Sequence, residues 1–428
     1  MTSPPRKRVV LVGATGVFGS RLARMLARRP DLELVLAARR LDALEALQAE
    51  LQRTGAKARV EVAIVDRERP QALAALRPFV VVDAAGPFQG QDAAFPAAAL
   101  AAGAHSADLA DARDFVAAFP ERLAIPVKAA ARWAITGASS TPALTCAAVD
   151  RLTDGWTRID RIEAAISPGA RAPRGLSVVR AILRWAGAPV SVFTGGEQTL
   201  RPGWSAPRRL AFPGLGRRWT SLAETPDLDL LKSRYAPTRD ALFGAGLELA
   251  PLHLGLWALS LPRRWKLLPT LEPLAVLLNA GAGLLAPLGS DRGGMTVRAC
   301  GLDAAGAPAL ARWSLWAEEG AGPNVPAAPA AAIVEALVDG RLGEPRAVPC
   351  VGLLPLEDLL APLAGLPIET RIDRAAPAAP GLFPRVLGGD FETLPPLVRA
   401  AHDGRAVVSL KGRARARGGR GPAALARR

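Results

Sequence analysis

Hydrophobic positions in the first 145 residues follow two alternating spacings. Residues 20–28 and 41–53 repeat Leu or Met every three or four positions, which predicts amphipathic helices. Short and mostly apolar runs, typical of strands buried on both faces of a parallel sheet, lie at 9–12, 32–38, 60–65 and 79–85. Strands that alternate with helices in this way predict an α/β fold built on a doubly wound parallel sheet.

A different pattern follows in the middle of the chain. Residues 159–166 are spaced like a strand, and Pro- and Gly-rich sequence comes after them. Residues 295–301 and 311–317 predict an antiparallel pair around a turn at 303–308. We therefore predict a second, mixed α+β domain for substrate binding or dimerisation. Residues 326–340 return to helical spacing and are predicted to pack on the first domain.

Three glycines, Gly13, Gly16 and Gly19, follow the first strand and lead into the helix at 20–28. The first allows a sharp turn, the second lets a phosphate approach main-chain N–H groups, and the third lets helix and strand pack closely. The positive end of the helix dipole then points at the phosphate. In this context the motif predicts a Rossmann-type dinucleotide-binding fold. The alternative is a glycine-rich turn without a ligand.

The end of the second strand indicates which dinucleotide binds. Arg39 and Arg40 stand where an NAD enzyme usually places an acidic residue against the ribose hydroxyls. A guanidinium pairs with a 2′-phosphate that a carboxylate would repel, so we predict NADP(H) as the cofactor. Two solvent-exposed arginines would give the same pattern. Asp66, after the third strand, is placed to contact the adenine amino group.

Candidate catalytic groups follow the later strands of the first domain. The fourth strand leads to residues 86–88, and a polar cluster that includes His105 and Asp108 follows the next helix. Ser139 and Ser140 precede another helix. We predict hydride transfer at this edge, with His105 or a serine-bound water as proton donor. The alternative roles are turn residues, buried polar groups and, for the serines, helix caps.

Residue types that are scarce exclude several chemistries. Tyr235 is the only tyrosine and is followed four positions later by Arg239, which excludes the Tyr-x-x-x-Lys pair of short-chain dehydrogenases. Cys146 lies in an apolar helical stretch and is better explained as a small buried residue, with a nucleophile as the alternative. The three cysteines are far apart, without metal-ligand spacing. We expect a cytoplasmic protein with no disulfide framework and no metal site.

The formal net charge of +15 reflects in part a basic C-terminal tail, in which no acidic residue follows Asp403. Aromatic residues are not interleaved with these arginines, so we predict a solvated tail and no nucleic-acid partner. Composition and pattern divide the chain into five predicted segments: a dinucleotide-binding domain at 6–150, a mixed domain at 151–325, a return segment at 326–374, a linker at 375–380 and an appendage at 381–428.

Two apolar stretches, at residues 242–261 and 271–288, approach the length of a membrane span. Both contain polar residues, Glu248 and Glu272 among them, so we interpret them as buried or interface helices. Peripheral membrane contact through 242–288 is the alternative, because a cluster of basic residues lies between the stretches. A homodimer formed through this region is a third interpretation.

Several motifs resemble the saccharopine dehydrogenase-like proteins with an N-terminal NADP-binding domain, in their bacterial branch. That family includes saccharopine reductases and trans-acting enoyl reductases, which share a fold but not a substrate. The resemblance spans about residues 8–375 and is most specific in the first 145. It rests on GATGVFG at 13–19, AARR at 37–40, DAAGPFQG at 83–90, AGAHSADLADARDF at 102–115, TGASSTPAL at 136–144, GPNVPA at 322–327 and PCVGLLPLEDL at 349–359.

The resemblance implies a role for each matched position. Arg39 would take the 2′-phosphate, and Ala85, Gly86 and Pro87 would flank the nicotinamide ribose. The stretch from Leu382 resembles the opening of a domain of unknown function, truncated in this chain. The pyrophosphate would lie against Gly13, Ala14, Thr15, Gly16, Val17, Phe18 and Gly19.

We therefore expect an NADP(H)-dependent oxidoreductase that delivers hydride to a C=N, C=C or C=O bond of a small molecule. The apolar second domain favours a hydrophobic substrate over an amino acid. The alternative function is a non-catalytic NADP(H)-binding redox sensor or assembly protein. That alternative depends on the scarcity of ionisable side chains near the predicted cleft.

Overall fold

The computed structural model divides the chain into two units, residues 1–375 and 376–428. In the second unit a short 3₁₀ turn covers Gly388–Thr393. Most of the predicted linker and appendage, including the basic tail, lies outside the described residues. The residues that the structure describes are 6–173, 175–375, 386–395 and 398–399.

Strands and helices alternate over the first 150 residues, and runs of consecutive strands follow in the rest of the first unit. The strands are β1 (Lys7–Val12), β2 (Leu32–Ala38), β3 (Arg59–Ile64), β4 (Val80–Asp83), β5 (His105–Asp108), β6 (Ala134–Thr136), β7 (Arg158–Ser167), β8 (Pro189–Thr194), β9 (Glu197–Pro202), β10 (Arg208–Phe212), β11 (Gly216–Leu222), β12 (Asp240–Ala245), β13 (Gly293–Leu302), β14 (Pro308–Ala317), β15 (Ala347–Pro349) and β16 (Ile368–Ala375). The α-helices are α1 (Val17–Leu26), α2 (Leu41–Arg53), α3 (Ala72–Leu76), α4 (Ala94–Ala101), α5 (Arg113–Ala130), α6 (Thr145–Leu152), α7 (Leu176–Trp185), α8 (Asp227–Tyr235), α9 (Ala250–Arg264), α10 (Ala275–Leu285), α11 (Ala328–Val338) and α12 (Leu356–Leu360).

The first sheet is parallel and has seven strands in the order β15-β6-β5-β4-β1-β2-β3. Its direction of winding reverses between β1 and β4, and ligands of such sheets bind outside the carboxyl ends of the strands at this reversal. Val9 and Leu11 belong to one buried cluster while Val10 and Val12 belong to another. Both faces of β1 are therefore covered, as its unbroken apolar run predicts. This sheet confirms the predicted α/β, Rossmann-type architecture.

The second sheet mixes parallel and antiparallel pairs in the order β10-β11-β12-β7-β13-β14-β16, with β8 and β9 attached at β12. β12 runs parallel to β7, whereas β13 pairs antiparallel with both β7 and β14. The hairpin predicted around residues 303–308 is confirmed by the β13–β14 pair. A second, mixed α+β region is thus confirmed as well.

The return segment predicted at 326–374 contributes to both sheets. Its helix α11 packs on α1 and β5, and β15 extends the first sheet beside β6. Its last strand, β16, pairs instead with β14 in the second sheet. The predicted domain boundaries stay predictions, because the first 375 residues form a single unit.

The apolar region at 242–288 folds as strand β12, helix α9, a 3₁₀ turn at Glu272–Leu274 and helix α10. Among the described residues, no helix is both long enough and apolar enough to pass through a membrane. Parts of α9 and α10 are buried against α7 in a cluster around Leu183 and Leu271. The outer surface of α10 is exposed.

Candidate functional site

The loop at residues 13–19, here called the dinucleotide loop, packs against the main chain with no room for side chains at two positions. Gly13 has φ +78°, and a Cβ there would lie 2.8 Å from the carbonyl carbon of Ala84. A Cβ on Gly19 would lie 2.1 Å from the carbonyl oxygen of Gly13. Both distances are shorter than van der Waals contact. These two glycines therefore hold β1, β4 and α1 in close register.

The remaining glycine of this loop faces more open space. A Cβ on Gly16 would meet only the carbonyl oxygen of Gly13, at 3.2 Å. Gly16 is the N-cap of α1, and neither a capping side chain nor an acidic residue occupies the first turn. The first N–H groups of a helix have no partners within the helix and favour an anion. The loop thus offers main-chain donors at the reversal point of the sheet and fits a diphosphate.

Two arginines follow β2 and differ in their contacts. Arg40 places Nε 3.5 Å from Asp42 Oδ1. Arg39 is exposed and makes no ion pair or hydrogen bond with the part of the chain that the structure describes. Arg39 is therefore the guanidinium of this pair that is free to meet a phosphate. Asp66 lies after β3, where its Oδ1 accepts a hydrogen bond from the Glu68 N–H.

The loop after β4 is held by Arg67, a residue that the sequence analysis missed. Arg67 Nε donates to Asp83 Oδ2 at 2.6 Å, and its guanidinium lies 4.7 Å from the centre of the Phe88 ring. Asp83 Oδ1 in turn accepts from the Ala85 N–H at 2.9 Å. These contacts fix the main chain of residues 85–87 next to Gly13. The Gly86–Pro87 peptide bond is cis.

A cavity of about 330 Å³ opens next to the dinucleotide loop. Phe18 of α1 and the loop after β6 form one wall, and the second sheet with α7 forms the other. No Lys or Arg is among the described residues that line it. Its lining is mostly apolar and includes Leu109, Ile166, Val178, Ala181, Ile182, Trp185, Trp204, Phe243, Met295 and Leu315.

Ser139 and Ser140 line this cavity, which agrees with their predicted position. The Ser139 hydroxyl donates to the Pro326 carbonyl at 3.1 Å, and neither serine caps the following helical turn through its side chain. The capping role considered for them is therefore wrong. Their hydroxyls stand among the few polar groups of an otherwise apolar wall.

His105 lies elsewhere, and its predicted position near the carboxyl edge is wrong. It is the first residue of β5, so it lies at the amino edge of the first sheet. Its ring packs edge-on against Phe79, and Nδ1 accepts from the Trp133 N–H at 3.0 Å. Burial lowers the pKa of His105 to about 4. A buried neutral imidazole at this edge cannot donate a proton in the cavity.

Asp108 ends β5 at the correct edge but lies beneath the surface. Its Oδ1 accepts from the Thr136 hydroxyl at 2.8 Å and from the N–H groups of Gly137 and Ala110 at 2.9 Å. Burial raises the pKa of Asp108 to about 7, against the effect of these three donors. Asp108 does not line the cavity and instead holds the loop that carries Ser139 and Ser140. It is a positioning residue.

The cavity is lined by three carboxyl groups that were not predicted as catalytic, Glu224, Asp111 and Asp291. Burial raises the pKa of Glu224 to about 8, with the charge of Asp114 adding to the shift and that of Arg113 opposing it. Burial also raises the pKa of Asp111, whose Oδ1 accepts from the Gln89 amide at 3.3 Å. Asp111 lines the cavity. Its side chain has accessible surface there, but the surrounding protein atoms leave its carboxyl poorly solvated. A carboxyl group that holds its proton near neutral pH, as Glu224 does, is typical of a functional site.

Cys146 and Tyr235 have structural roles away from the cavity. Cys146 is fully buried, and burial raises the pKa of its thiol. The Tyr235 hydroxyl donates to the Cys146 carbonyl at 2.7 Å and lies 2.9 Å from Asp150 Oδ1. These contacts agree with the interpretation of Cys146 as a packed, unreactive residue.

The strand order of the first sheet and the three glycines of the dinucleotide loop are typical of a nucleotide-binding domain. Residues 9–133 match the family model of the saccharopine dehydrogenase NADP binding domain. The match confirms the resemblance over the NADP binding domain, from β1 to the end of α5, and supports a nicotinamide dinucleotide as cofactor. It ends before β6 and includes none of the second sheet. The match therefore identifies a type of domain and does not specify a reaction.

Solved structures extend the likeness to the fold of most of the chain. The apo saccharopine dehydrogenase (L-Glu forming) of Saccharomyces cerevisiae aligns with a TM-score of 0.61 at 12% identity, covering 86% of this chain and 100% of that chain. C. glutamicum DAP dehydrogenase in complex with DAP covers 83% of this chain and 98% of that chain at 15% identity, with a TM-score of only 0.45. No curated protein sequence matches the chain. The alignment with the yeast enzyme shows a shared fold.

Proposed function

We propose that the protein is an NADP(H)-dependent oxidoreductase that reduces a C=N, C=C or C=O bond of a mostly apolar small molecule. One observation carries this proposal: the apolar cavity shares Phe18 with the dinucleotide loop. A substrate in the cavity would thus lie next to a nicotinamide bound at the reversal point of the sheet. The nicotinamide, when bound, supplies or accepts the hydride.

Several residues would hold the dinucleotide. The main-chain N–H groups at the start of α1 would bind the diphosphate, because no side chain competes for them. Arg39 would pair with the 2′-phosphate, which favours NADP(H) over NAD(H). Ala85, Gly86 and Pro87 would flank the nicotinamide ribose, on a path held by Asp83 and Arg67.

Glu224 is the proton donor in this proposal. A carboxyl with a pKa near 8 keeps its proton at neutral pH, and Glu224 makes no hydrogen bond with the described residues. Reduction breaks the π bond of the substrate and leaves an electron pair on one of its atoms. That pair takes the Glu224 proton, and the resulting carboxylate regains a proton from water.

The lining also limits the class of substrate. A dicarboxylate amino acid requires cationic partners when it is buried, and the described lining contains no Lys or Arg. The three carboxyl groups that line the cavity would further disfavour an anionic substrate. An uncharged, largely hydrophobic molecule is the better fit. Saccharopine chemistry is therefore not part of the proposal.

The test is NADPH oxidation by the full chain with imines, enoyl esters and aldehydes of increasing chain length. We expect turnover in at least one class, with kcat/KM rising as the chain lengthens. Calorimetric binding of NADPH without turnover in any class would support the redox sensor instead. The premise for that alternative is a scarcity of ionisable side chains near the cleft, and the carboxyl groups of Glu224, Asp111 and Asp291 in the lining weaken it.

A further inference from the structure

Large exposed apolar side chains concentrate in one segment of the chain. Trp265, Leu267, Val276, Leu277 and Leu284 are 63–83% exposed. Of the seventeen large hydrophobic residues exposed in the described part of the chain, eight lie between residues 265 and 288. Monomeric proteins rarely leave such a contiguous patch uncovered unless it binds something. We call residues 264–288 the docking face.

The exposed residues of the docking face form a stripe on α10 and its extension. Leu277, Leu284 and Leu288 recur at intervals of seven and four, which places them on the same side of a helix. The opposite side of α10 carries Ala275 and Leu278, which pack into the cluster shared with α7. The stripe is therefore an outward surface of a helix that is already anchored.

The charges around this stripe are positive. Arg264 and Lys266 are exposed and make no ion pair with the described residues. Between residues 249 and 290 the only acidic residue is Glu272, and its carboxylate pairs with Arg184. Trp265 stands between the two cations, and Trp is typical of the boundary between lipid and water.

We propose that the docking face binds the surface of an anionic lipid bilayer. Leu277, Leu284 and Leu288 would enter the acyl boundary, while Arg264 and Lys266 would remain at the level of the phosphate groups. Contact of this kind is peripheral and requires no spanning helix. It combines the apolar and the electrostatic contributions that interfacial helices use.

A second copy of the chain fits the same surface less well. A two-fold interface would bring the docking face against itself, which sets Arg264 and Lys266 of both copies close together. No unpaired carboxylate among the described residues of this face would compensate them. Anionic phosphate groups supply the opposite charge that the face lacks. Charge complementarity thus favours lipid.

Helix α7 connects the docking face to the cavity. Val178, Ala181, Ile182 and Trp185 line the cavity from one side of α7, while Leu183 packs towards α10 on the other. A single helix thus separates the bilayer contact from the apolar cavity. That a substrate enters from the lipid is an extension that rests on the proposed function, whereas binding of vesicles does not depend on it.

The experiment is co-sedimentation of the full chain with two kinds of vesicle. One is pure phosphatidylcholine, and the other contains 30 mol% of the anionic lipid phosphatidylglycerol. We expect binding to the anionic vesicles that weakens at high salt. Arg264→Glu/Lys266→Glu should lower the partition coefficient by at least about 25-fold, since each lost cation contributes roughly fivefold and the added carboxylates are repelled by the anionic surface. The control Arg209→Glu/Arg217→Glu makes the same charge change on β10 and β11. It should lower the partition coefficient less than Arg264→Glu/Lys266→Glu does.

The apolar contribution has its own variant and control. Leu277→Glu/Leu284→Glu should reduce binding at least tenfold, and both side chains are exposed, so the substitutions leave the buried core unchanged. Ile125→Glu/Leu200→Glu, at 82% and 70% exposed positions on α5 and β9, is the matched control and should bind as the unchanged chain does. Circular dichroism and thermal unfolding check that all variants are folded.

Two outcomes would overturn the proposal. The first is a full chain that stays in the supernatant with anionic vesicles at low salt. The second is a dimer in sedimentation equilibrium that Leu277→Glu/Leu284→Glu dissociates, because the docking face would then bind a second copy. NADPH titration of the same samples distinguishes these outcomes from a failure of the proposed function.

Discussion

The dinucleotide loop and the apolar cavity are adjacent but are built in opposite ways. The loop depends on side chains that are missing: a Cβ on Gly19 would lie 2.1 Å from a carbonyl oxygen. The cavity depends on side chains that are present, contributed by the second sheet, by α7 and by the loops that follow the strands of the first sheet. One region has no space for a methyl group, and the other encloses about 330 Å³.

This difference separates two kinds of specificity. Main-chain donors at a helix start recognise a diphosphate that many reactions share, so the dinucleotide loop sets the class of coenzyme. Apolar walls with few polar groups recognise size and hydrophobicity, so the cavity sets the substrate. Substitutions in the loop should therefore change coenzyme binding, and substitutions in the cavity should change turnover and substrate choice.

The largest effect is expected from Gly19→Ala. Its methyl group would overlap the Gly13 carbonyl oxygen, and main-chain atoms on both sides must move to relieve the contact. We expect calorimetry to detect no binding of either coenzyme, together with a lower midpoint of thermal unfolding. Gly255→Ala in α9 meets nothing within 4 Å and should bind normally. Unchanged NADPH affinity in Gly19→Ala would contradict the described packing of the loop.

Glu224→Gln tests the cavity. Loss of a positioned proton donor should lower kcat by about 10²- to 10⁴-fold while NADPH affinity remains unchanged. In the unchanged chain the donor must be protonated, so kcat should be constant below pH 8 and fall as pH rises above it. Glu224→Gln should lose this fall. A variant that retains full activity would remove Glu224 from the mechanism.

Asp114→Asn sharpens that test as a matched carboxyl-to-amide change. The charge of Asp114 raises the pKa of Glu224, so its removal should lower the pH at which kcat begins to fall. Maximal kcat should change little, because Glu224 is still present. Glu224 also makes the stability of the unchanged chain depend on pH. Because its folded-state pKa exceeds its ordinary value, the free energy of unfolding decreases as pH rises from about 4.5 through 8.

Arg39→Asp tests which arginine selects the coenzyme. The substitution removes a charge-assisted contact and adds a repulsive carboxylate, so NADPH should bind roughly 30- to 100-fold more weakly while NADH is little affected. Arg40→Asp is the matched control, because Arg40 already faces Asp42. Calorimetric titration of both variants with NADPH and NADH shows which arginine contacts the 2′-phosphate. A larger loss in Arg40→Asp would reassign the phosphate contact.

The smallest effect is expected from Ala181→Leu, which fills part of the cavity from α7. Each substrate methylene that is displaced should cost about fourfold in kcat/KM, from roughly 0.8 kcal/mol per buried CH₂. The optimum should therefore shift to shorter substrates, with no change in NADPH affinity. Identical chain-length profiles for the two proteins would place the substrate elsewhere.

The dinucleotide loop could be predicted because it is local. Seven consecutive residues provide the turn, the donors and the close packing, and the flanking strand and helix have clear periodicities. Arg39 follows directly from the end of β2. Arg67 could not be predicted, because its partner Asp83 lies sixteen positions away and only the folded loop brings them together.

The catalytic candidates were harder to predict for two reasons. His105 and Asp108 are three residues apart, a span of about 10 Å along a strand, so a small error in where β5 begins assigns His105 to the wrong edge. Glu224 lies in a stretch with no distinctive pattern. Its raised pKa arises only from burial beside the cavity, which requires both sheets to be in place.

The strand β15 has a consequence for how this protein can be made. Residues 347–349 complete the first sheet, and nearly all of α11 is buried against it. A ribosome must therefore synthesise more than three quarters of the chain before the outer edge of β6 finds its partner. A gene fragment that stops near residue 150 would leave this edge unpaired and a hydrophobic face uncovered, both of which promote aggregation. A fragment that also carries residues 326–363 would supply the partner strand together with α11 and the segment that packs on it.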